Sequence, residues 1–435
     1  MPIASPNTTA NTTSAPSTGQ SYGAPLATVT TLFFMWGFLT CLNDILVPHL
    51  KAIFDLNYTR VMLIQFAFFG AYFIFSIPSA KIIDWMGYQR SMVLGLLTMG
   101  VGAFLFVPAA SVPSYPLFLG ALIVLAAGIT CLQVTANPYV TVLGKPETAS
   151  SRLNLTQAFN SLGTFLAPFF GGLLILSSAP KTADQIRAMA PDAALAYRLH
   201  EAATVKMPYV GLGIALVLLA VAIGSFKLPK IEHAQHKVGE KVNDSIWRHP
   251  NLIFGAIAIF VYVGAEVSIG SFLVNYFAQP EIGGLTEKVA ASFVAFYWGG
   301  AMVGRFIGSA LLQKMKTGGL LGICAVCAAG LVAISMLTSG HFAMYSIILV
   351  GLFNSIMFPS IFTLGVAELG PLTGDGSGIM IMAIVGGAII PVAQGWIADH
   401  IGIHHAFFLP VICYVYILFF ALSGSKPNSE RYAKA

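Results

Sequence analysis

The sequence predicts an all-α polytopic membrane protein with twelve transmembrane helices in two pseudo-symmetric six-helix bundles. Three observations predict it: an apolar composition, the number of membrane-length stretches, and a repeat between the two halves. Of 435 residues, 57% are hydrophobic and 9% are charged, whereas about a quarter are charged in an ordinary soluble domain. The net charge of +5 is small and scattered, so we expect no nucleic-acid partner.

Twelve apolar stretches approach or exceed the roughly 20 residues that a helix needs to cross a bilayer. They fall into two sets of six, separated by a polar gap. Their ranges are 27–50, 61–82, 91–109, 115–142, 153–177, 207–228, 251–277, 289–312, 318–337, 342–367, 376–397 and 404–424.

The polar segments define the predicted domains. Residues 1–24 contain no charged side chain and much Ser, Thr and Pro, so we predict a disordered tail there and no signal peptide. The remaining boundaries are a first bundle at 25–228, a linker at 229–250, a second bundle at 251–424 and a tail at 425–435. Most Lys and Arg residues lie on the side of the tails and the linker, which predicts that both termini are cytoplasmic.

The two halves repeat each other. Gly163, Pro168 and Gly172 of the fifth span recur at one constant offset as Gly386, Pro391 and Gly395 of the eleventh, and Pro138 and Gly144 of the fourth span recur as Pro359 and Gly365. Parallel repeats of this kind are typical of transporters whose halves rock about a central site.

Four amide side chains on two adjacent spans predict a binding site. Gln133 and Asn137 are four residues apart, and Gln157 and Asn160 are three apart, so each pair shares one helix face. Amides offer donors and acceptors together, which suits a neutral polyhydroxylated ligand. The alternative is that they join neighbouring helices without touching a ligand.

Two carboxylates lie deep in equivalent spans: Asp44 in the first and Glu266 in the seventh. Neither span carries a Lys or Arg nearby, and a buried carboxylate without a cationic partner holds a proton or binds a metal ion such as Na⁺. We therefore predict cation coupling by H⁺ or Na⁺, with both residues as metal ligands if the ion is Na⁺. A permanently protonated structural acid is the alternative.

Several longer motifs resemble a known family. The twelve-span plan and AKIIDWMGYQR, with Asp84, Gly87 and Arg90, resemble the major facilitator superfamily. The segments FFMWGFLTCLNDILVPHLK, LQVTANPYVTVLGKPE and RLNLTQAFNSLG resemble the fucose/proton symporter family, in its glucose/galactose transporter branch. In that family the acid matching Asp44 is associated with coupling, and the amides matching Gln157 and Asn160 with sugar binding.

One departure limits what the resemblance implies. Fucose transporters carry a glutamate where this chain has Gln133, and a glutamine cannot titrate. We therefore expect Gln133 to be a sugar ligand, and Asp44 and Glu266 to carry the cation.

The resulting prediction is an importer of glucose or galactose in a bacterial inner membrane, driven by cation symport with alternating access. Asn354 is a further candidate sugar ligand, and Trp36 and Trp298 are candidates to pack against the sugar ring or to belong to the core. Asp84, Arg90 and Arg305 are expected to latch the cytoplasmic ends. The expected partners are a sugar and the lipid bilayer, the expected functional unit is a monomer, and no cofactor is expected.

The same residues also allow other functions. An importer of N-acetylhexosamine such as N-acetylglucosamine needs only a larger pocket. A membrane sugar sensor that does not transport is a second class, although the tails and linker are too short for a signalling domain. An enzyme is disfavoured because the sequence shows no nucleophile with a base, no metal-spaced histidines and no phosphate loop.

Overall fold

The described part of the chain is helical, which confirms the predicted all-α class. A computed structural model of the protein describes residues 22–54, 58–111, 114–174, 185–186, 188–204, 206–229 and 244–427. The α-helices are α1 (Gly23–Phe54), α2 (Tyr58–Ser111), α3 (Tyr115–Val142), α4 (Ala149–Leu174), α5 (Pro191–Thr204), α6 (Lys206–Ser225), α7 (Pro250–Ala278), α8 (Glu287–Leu311), α9 (Thr317–Leu337), α10 (Gly340–Asn354), α11 (Met357–Gly365), α12 (Thr373–Met382), α13 (Gly386–Ile401), α14 (Ile403–Ala406) and α15 (Phe408–Phe419).

Helix α2 is two spans joined at a kink. Its described apolar part, Phe66–Ser111, has 46 residues, which at 1.5 Å per residue is about 69 Å and twice the thickness of the hydrocarbon core. The break is at Gly87, with φ 79° and ψ 168°, a conformation that glycine adopts without steric cost. The AKIIDWMGYQR motif thus lies at the junction of two spans.

The described helices agree with the predicted number of spans. Nine helical stretches in the described residues are long and apolar enough to cross a membrane. Counting Phe66–Ser111 twice and adding α1 and α4 gives twelve. Two of the spans are broken into shorter helices, α10 with α11 and α12 with α13.

Close helix packing shows the repeat between the halves. A Cβ added at Gly163 of α4 would lie 2.2 Å from the backbone oxygen of Phe34 on α1. A Cβ added at Gly386, the equivalent residue in the second half, would lie 2.0 Å from the backbone oxygen of Phe260 on α7. Only glycine allows both approaches, so the repeated glycines seat the fifth span on the first and the eleventh on the seventh.

The two halves meet along a seam at one end of the bundle. Helix α2 contacts α12, and α4 contacts α8 and α11. The contacts involve the start of α4, the end of α8 and the start of α12, which lie on the same side as the end of α6 and the start of α7 in an up-and-down bundle. We call this the linker side, because the linker joins α6 to α7 there.

Parts of the predicted domain plan fall outside the described residues. These are 1–21 of the first tail, 230–243 of the linker and 428–435 of the second tail. The residues that lead from α6 into the linker are within the described ranges. Leu228 is buried, and the Tyr139 hydroxyl donates to the Pro229 carbonyl at 3.2 Å.

Candidate functional site between the two halves

The predicted amides form a group on α3 and α4. Gln157 Nε2 donates to Asn137 Oδ1 at 3.2 Å, so the structure brings one residue of each predicted pair into contact. Gln133 Nε2 donates to the hydroxyl of Tyr72 at 2.8 Å, and Asn160 Nδ2 donates to the Phe33 carbonyl of α1 at 2.9 Å. The four amides, which we call the amide cluster, therefore bond within α3 and α4 and to α1 and α2.

The four amides differ in what they can offer a ligand. Asn137 is 0% exposed, whereas Gln133 keeps 9% and Gln157 keeps 7%, and Asn160 is half-buried. The Asn137 Nδ2 atom has no hydrogen-bond partner among the described residues. Asn137 therefore lies behind Gln157 and positions it. The side-chain oxygens of Gln133, Gln157 and Asn160 are not used in the bonds above. They can accept hydrogen bonds from a ligand.

The second-half carboxylate is a partly buried group with tyrosines around it. Glu266 on α7 has a shielded Oε1 atom with no hydrogen-bond partner among the described residues. Tyr262, Tyr297 and Tyr414 interact with it electrostatically. The side chain of Asp44 lies outside the described residues, so its pairing with Glu266 stays a prediction.

A cation lies closer to Glu266 than the sequence indicated. Neither predicted span contains one, but Arg305 of the neighbouring helix α8 interacts electrostatically with the carboxylate. The expectation that Glu266 lacks a cationic neighbour is therefore wrong in three dimensions, because helix packing supplies one from another span.

Arg305 also reaches across the seam. Its Nη1 atom hydrogen-bonds the Ser161 hydroxyl of α4, and its Nε atom donates to the Ser355 carbonyl at 3.1 Å. The Ser161 hydroxyl donates in turn to the backbone carbonyl of Gln157 at 3.1 Å. Glu266, Arg305 and Ser161 thus form a polar path from the carboxylate to the backbone of α4 at Gln157, the residue whose side chain bonds Asn137.

Asn354 is enclosed by tyrosines. It is 0% exposed; its Nδ2 donates to the Tyr297 hydroxyl at 2.8 Å, and its Oδ1 accepts from Tyr414 at 2.8 Å. Its backbone oxygen accepts from the Tyr262 hydroxyl at 3.0 Å. In this state Asn354 orders the tyrosines around Glu266 and presents no free amide atom to a sugar.

The two tryptophans lie in different environments. Trp36 is 6% exposed and packs edge-on against Phe33, with 5.4 Å between ring centroids. Trp298 is 46% exposed and contacts Tyr297 at 5.1 Å. A Cβ at Gly270, one turn beyond Glu266, would be 3.1 Å from the Trp298 ring. Trp298 therefore has the freer ring face.

The linker-side seam contains one ion pair between the halves that the sequence did not indicate. Lys81 Nζ lies 2.7 Å from Asp375 Oδ1 and 3.8 Å from Asp84. Asp84 faces α12, since a Cβ at Gly374 would lie 3.8 Å from its Oδ1. The predicted latch residue Arg90 is exposed and lines a groove beside α6.

Hydroxyl groups make further hydrogen bonds across the seam. Ser151 donates to the Ser309 carbonyl at 2.7 Å, and Thr317 donates to Ser150 at 2.9 Å. Ser377 donates to the Val134 carbonyl, next to Gln133, at 2.8 Å. The linker side is therefore closed directly beneath the amide cluster.

Comparisons with known proteins agree with this architecture. The sequence profile of the Major Facilitator Superfamily matches residues 26–384. The chain is 54% identical over 410 residues to a glucose/galactose transporter of Brucella abortus, covering 94% of this chain and 96% of the relative. It is 36% identical to the L-fucose-proton symporter of Escherichia coli, covering 92% of this chain and 93% of the relative.

A solved structure shows the same fold. The crystal structure of the fucose transporter FucP in the outward conformation aligns with a TM-score of 0.86 at 34% identity, covering 94% of this chain and all of that one. The resemblance seen in the motifs is confirmed, as is the prediction that the protein is not an enzyme. By profile, by sequence identity over nearly its whole length and by fold, the chain belongs to the major facilitator superfamily.

Proposed function

We propose that the protein imports a hexose, glucose or galactose, together with a proton across a bacterial inner membrane. The observation that carries this proposal is the polar path from Glu266 through Arg305 and Ser161 to Gln157. It connects a group that can take up a proton with the backbone of the helix that carries Gln157 and Asn160, whose amides can hold sugar hydroxyls. The names of the relatives, glucose/galactose transporter and L-fucose-proton symporter, support the substrate class.

The use of the Tyr262 proton elsewhere favours a proton over Na⁺ at Glu266. The Tyr262 hydroxyl has one proton, which it gives to the Asn354 carbonyl. Tyr262 also interacts with the Glu266 carboxyl. Because its own proton is already donated, the Tyr262 oxygen can only accept a hydrogen bond from that carboxyl. A hydrogen bond there requires a protonated carboxyl.

The transport cycle follows from the closed seam. With the linker side closed, sugar and proton enter from the opposite side, as in the outward conformation named for the fucose transporter. Gln133, Gln157 and Asn160 bind the sugar, and Trp298 offers a ring face for its C–H groups. Protonation of Glu266 removes its attraction for Arg305, which frees the guanidinium to leave Ser161 as the linker side opens.

The function is tested by uptake of labelled glucose and galactose into proteoliposomes. An inward proton gradient should drive accumulation, and a sodium gradient at equal internal and external pH should not. Unlabelled glucose should compete better than N-acetylglucosamine. Preferential competition by N-acetylglucosamine would indicate that the substrate is an acetylated hexosamine. Binding without any flux would favour a sensor that does not transport.

The seam ion pair predicts a shift in conformational balance. Lys81→Glu places a negative charge opposite Asp375 and Asp84, so we expect the population open on the linker side to rise. Lys81 is 58% exposed, and an exposed pair contributes at most about 1 kcal/mol, so the rise should be about twofold to fivefold. Spin labels at positions 145 and 314, on opposite halves, measure it as longer interspin distances in a variant free of native cysteines.

The charge swap provides the control for this prediction. Lys81→Glu combined with Asp375→Lys should recover most of the original distance distribution, and Lys316→Glu, at an exposed lysine just before α9, should leave it unchanged. If Lys316→Glu has the same effect as Lys81→Glu, general surface charge and not the pair sets the balance.

A further inference from the structure

A groove on the linker side lies outside the transport path. It has a volume of about 870 Å³ and is formed by the kink of α2 and the end of α6. Its lining includes the basic residues Arg90 and Lys227 and, further along α2 from Arg90, the apolar residues Val93, Leu94 and Leu97. Charged and apolar walls thus share one opening.

The groove walls are fixed by hydrogen bonds. Gln89 Nε2 donates to the carbonyls of Ile223 at 2.9 Å and Phe226 at 2.6 Å, which ties the kink to the last turn of α6. These contacts use the Gln89 donors and satisfy carbonyls that a helix end leaves without a partner. The positive charges of Arg90 and Lys227 therefore dominate the mouth of the groove.

Arg90 and Lys227 are free to meet an anion. Both side chains are exposed, and neither forms an ion pair with any residue in the described ranges. Arg binds phosphate through paired N–H groups, and Lys adds a second positive charge. Two cations lining one groove favour a phosphate group over a neutral ligand.

The apolar wall runs inward from the charged mouth. Leu94 and Leu97 follow Arg90 by one and two helical turns, about 6 and 10 Å along the axis, and Leu97 is 39% exposed. Phe226, 55% exposed, flanks the mouth. An amphiphile with an anionic head and a hydrocarbon chain matches this order of charge, aromatic ring and aliphatic surface.

We propose that the groove binds an anionic phospholipid. Its phosphate contacts Arg90 and Lys227, and one acyl chain lies along Leu94 and Leu97. The site is independent of the sugar and proton sites. A bound lipid holds the kink of α2 against α6, and the same kink carries Lys81 and Asp84 of the seam.

The proposal is tested by titrating the purified full-length protein with palmitoyl-oleoyl phosphatidylglycerol or phosphatidylcholine and counting bound lipids by native mass spectrometry. The native protein should bind phosphatidylglycerol about 25-fold more tightly, since each of the two basic residues near the headgroup contributes on the order of a factor of five. Arg90→Gln with Lys227→Gln should remove this preference.

The matched control is Lys314→Gln with Lys316→Gln, which removes two exposed lysines from the same side of the bundle and should keep the preference. Equal binding of both lipids by the native protein overturns the proposal, and so does equal loss in the control. Displacement of phosphatidylglycerol by inorganic phosphate would reduce the groove to a simple anion site. Tighter lipid binding after Glu232→Gln with Glu240→Gln would indicate that the linker occupies the groove in the native protein.

Discussion

Glu266→Gln is expected to abolish sugar accumulation driven by a proton gradient. Glutamine keeps the size of the side chain and can still hydrogen-bond Tyr262, but it cannot exchange a proton. With one proton per sugar, each pH unit of gradient is worth about a tenfold accumulation. In the variant the internal concentration should not exceed the external one at any gradient. Uptake into proteoliposomes measures this directly.

Exchange experiments separate coupling from binding. Sugar counterflow at equal pH on both sides requires no net proton transfer, so the Glu266 variant should retain it. Glu281→Gln, at an exposed acid just beyond the end of α7, should accumulate sugar like the native protein. If the Glu266 variant still accumulates sugar, the proton carrier lies elsewhere, with Asp44 the next candidate. If counterflow is also lost in a folded variant, Glu266 serves binding instead.

Gln157→Ala is expected to weaken sugar binding about 10-fold to 100-fold. The change removes an amide from the cluster and leaves Asn137 without its partner, and each lost buried hydrogen bond costs about 1–3 kcal/mol. Titration calorimetry with glucose measures the dissociation constant, and counterflow measures the apparent KM. Because chemistry at Glu266 is unaffected, the residual flux at saturating sugar should remain coupled to protons.

A second amide on the same helix provides the comparison. Asn154 is 0% exposed, and its Nδ2 donates to the Ser150 carbonyl within α4 at 2.9 Å. Asn154→Ala should change thermal stability more than sugar affinity. Unchanged affinity in Gln157→Ala would mean that the amides join helices and do not bind sugar, the alternative that the sequence left open.

The pattern of apolar residues was enough to predict the helices and the repeat. The fourth span was expected at 115–142, and α3 is Tyr115–Val142. The spacing of the repeat identifies Gly163 and Gly386. A Cβ added at either position would lie less than 2.5 Å from a backbone oxygen. Such features depend on local periodicity and on small residues within one span, which a single sequence displays.

Contacts between spans were harder to predict. Arg305 approaches Glu266 from another helix, and Lys81 meets Asp375 at 294 residues' separation. Asn354 was a candidate sugar ligand because sequence shows its polarity but not the three tyrosines that enclose it. Periodicity tells which face of a helix is polar, whereas the partner of that face depends on how helices pack.

The chemistry of the seam has a consequence for the resting protein. Hydroxyl and carbonyl bonds such as Ser151 with Ser309 contribute only about 0.5–1.5 kcal/mol each, because water replaces them on opening. Among the described residues, a handful of such bonds and the exposed Lys81–Asp375 pair make the polar part of the seam worth only a few kcal/mol. Binding of a single small solute supplies free energy of that size. The unloaded carrier should therefore reorient spontaneously, and its return step needs no input beyond thermal motion.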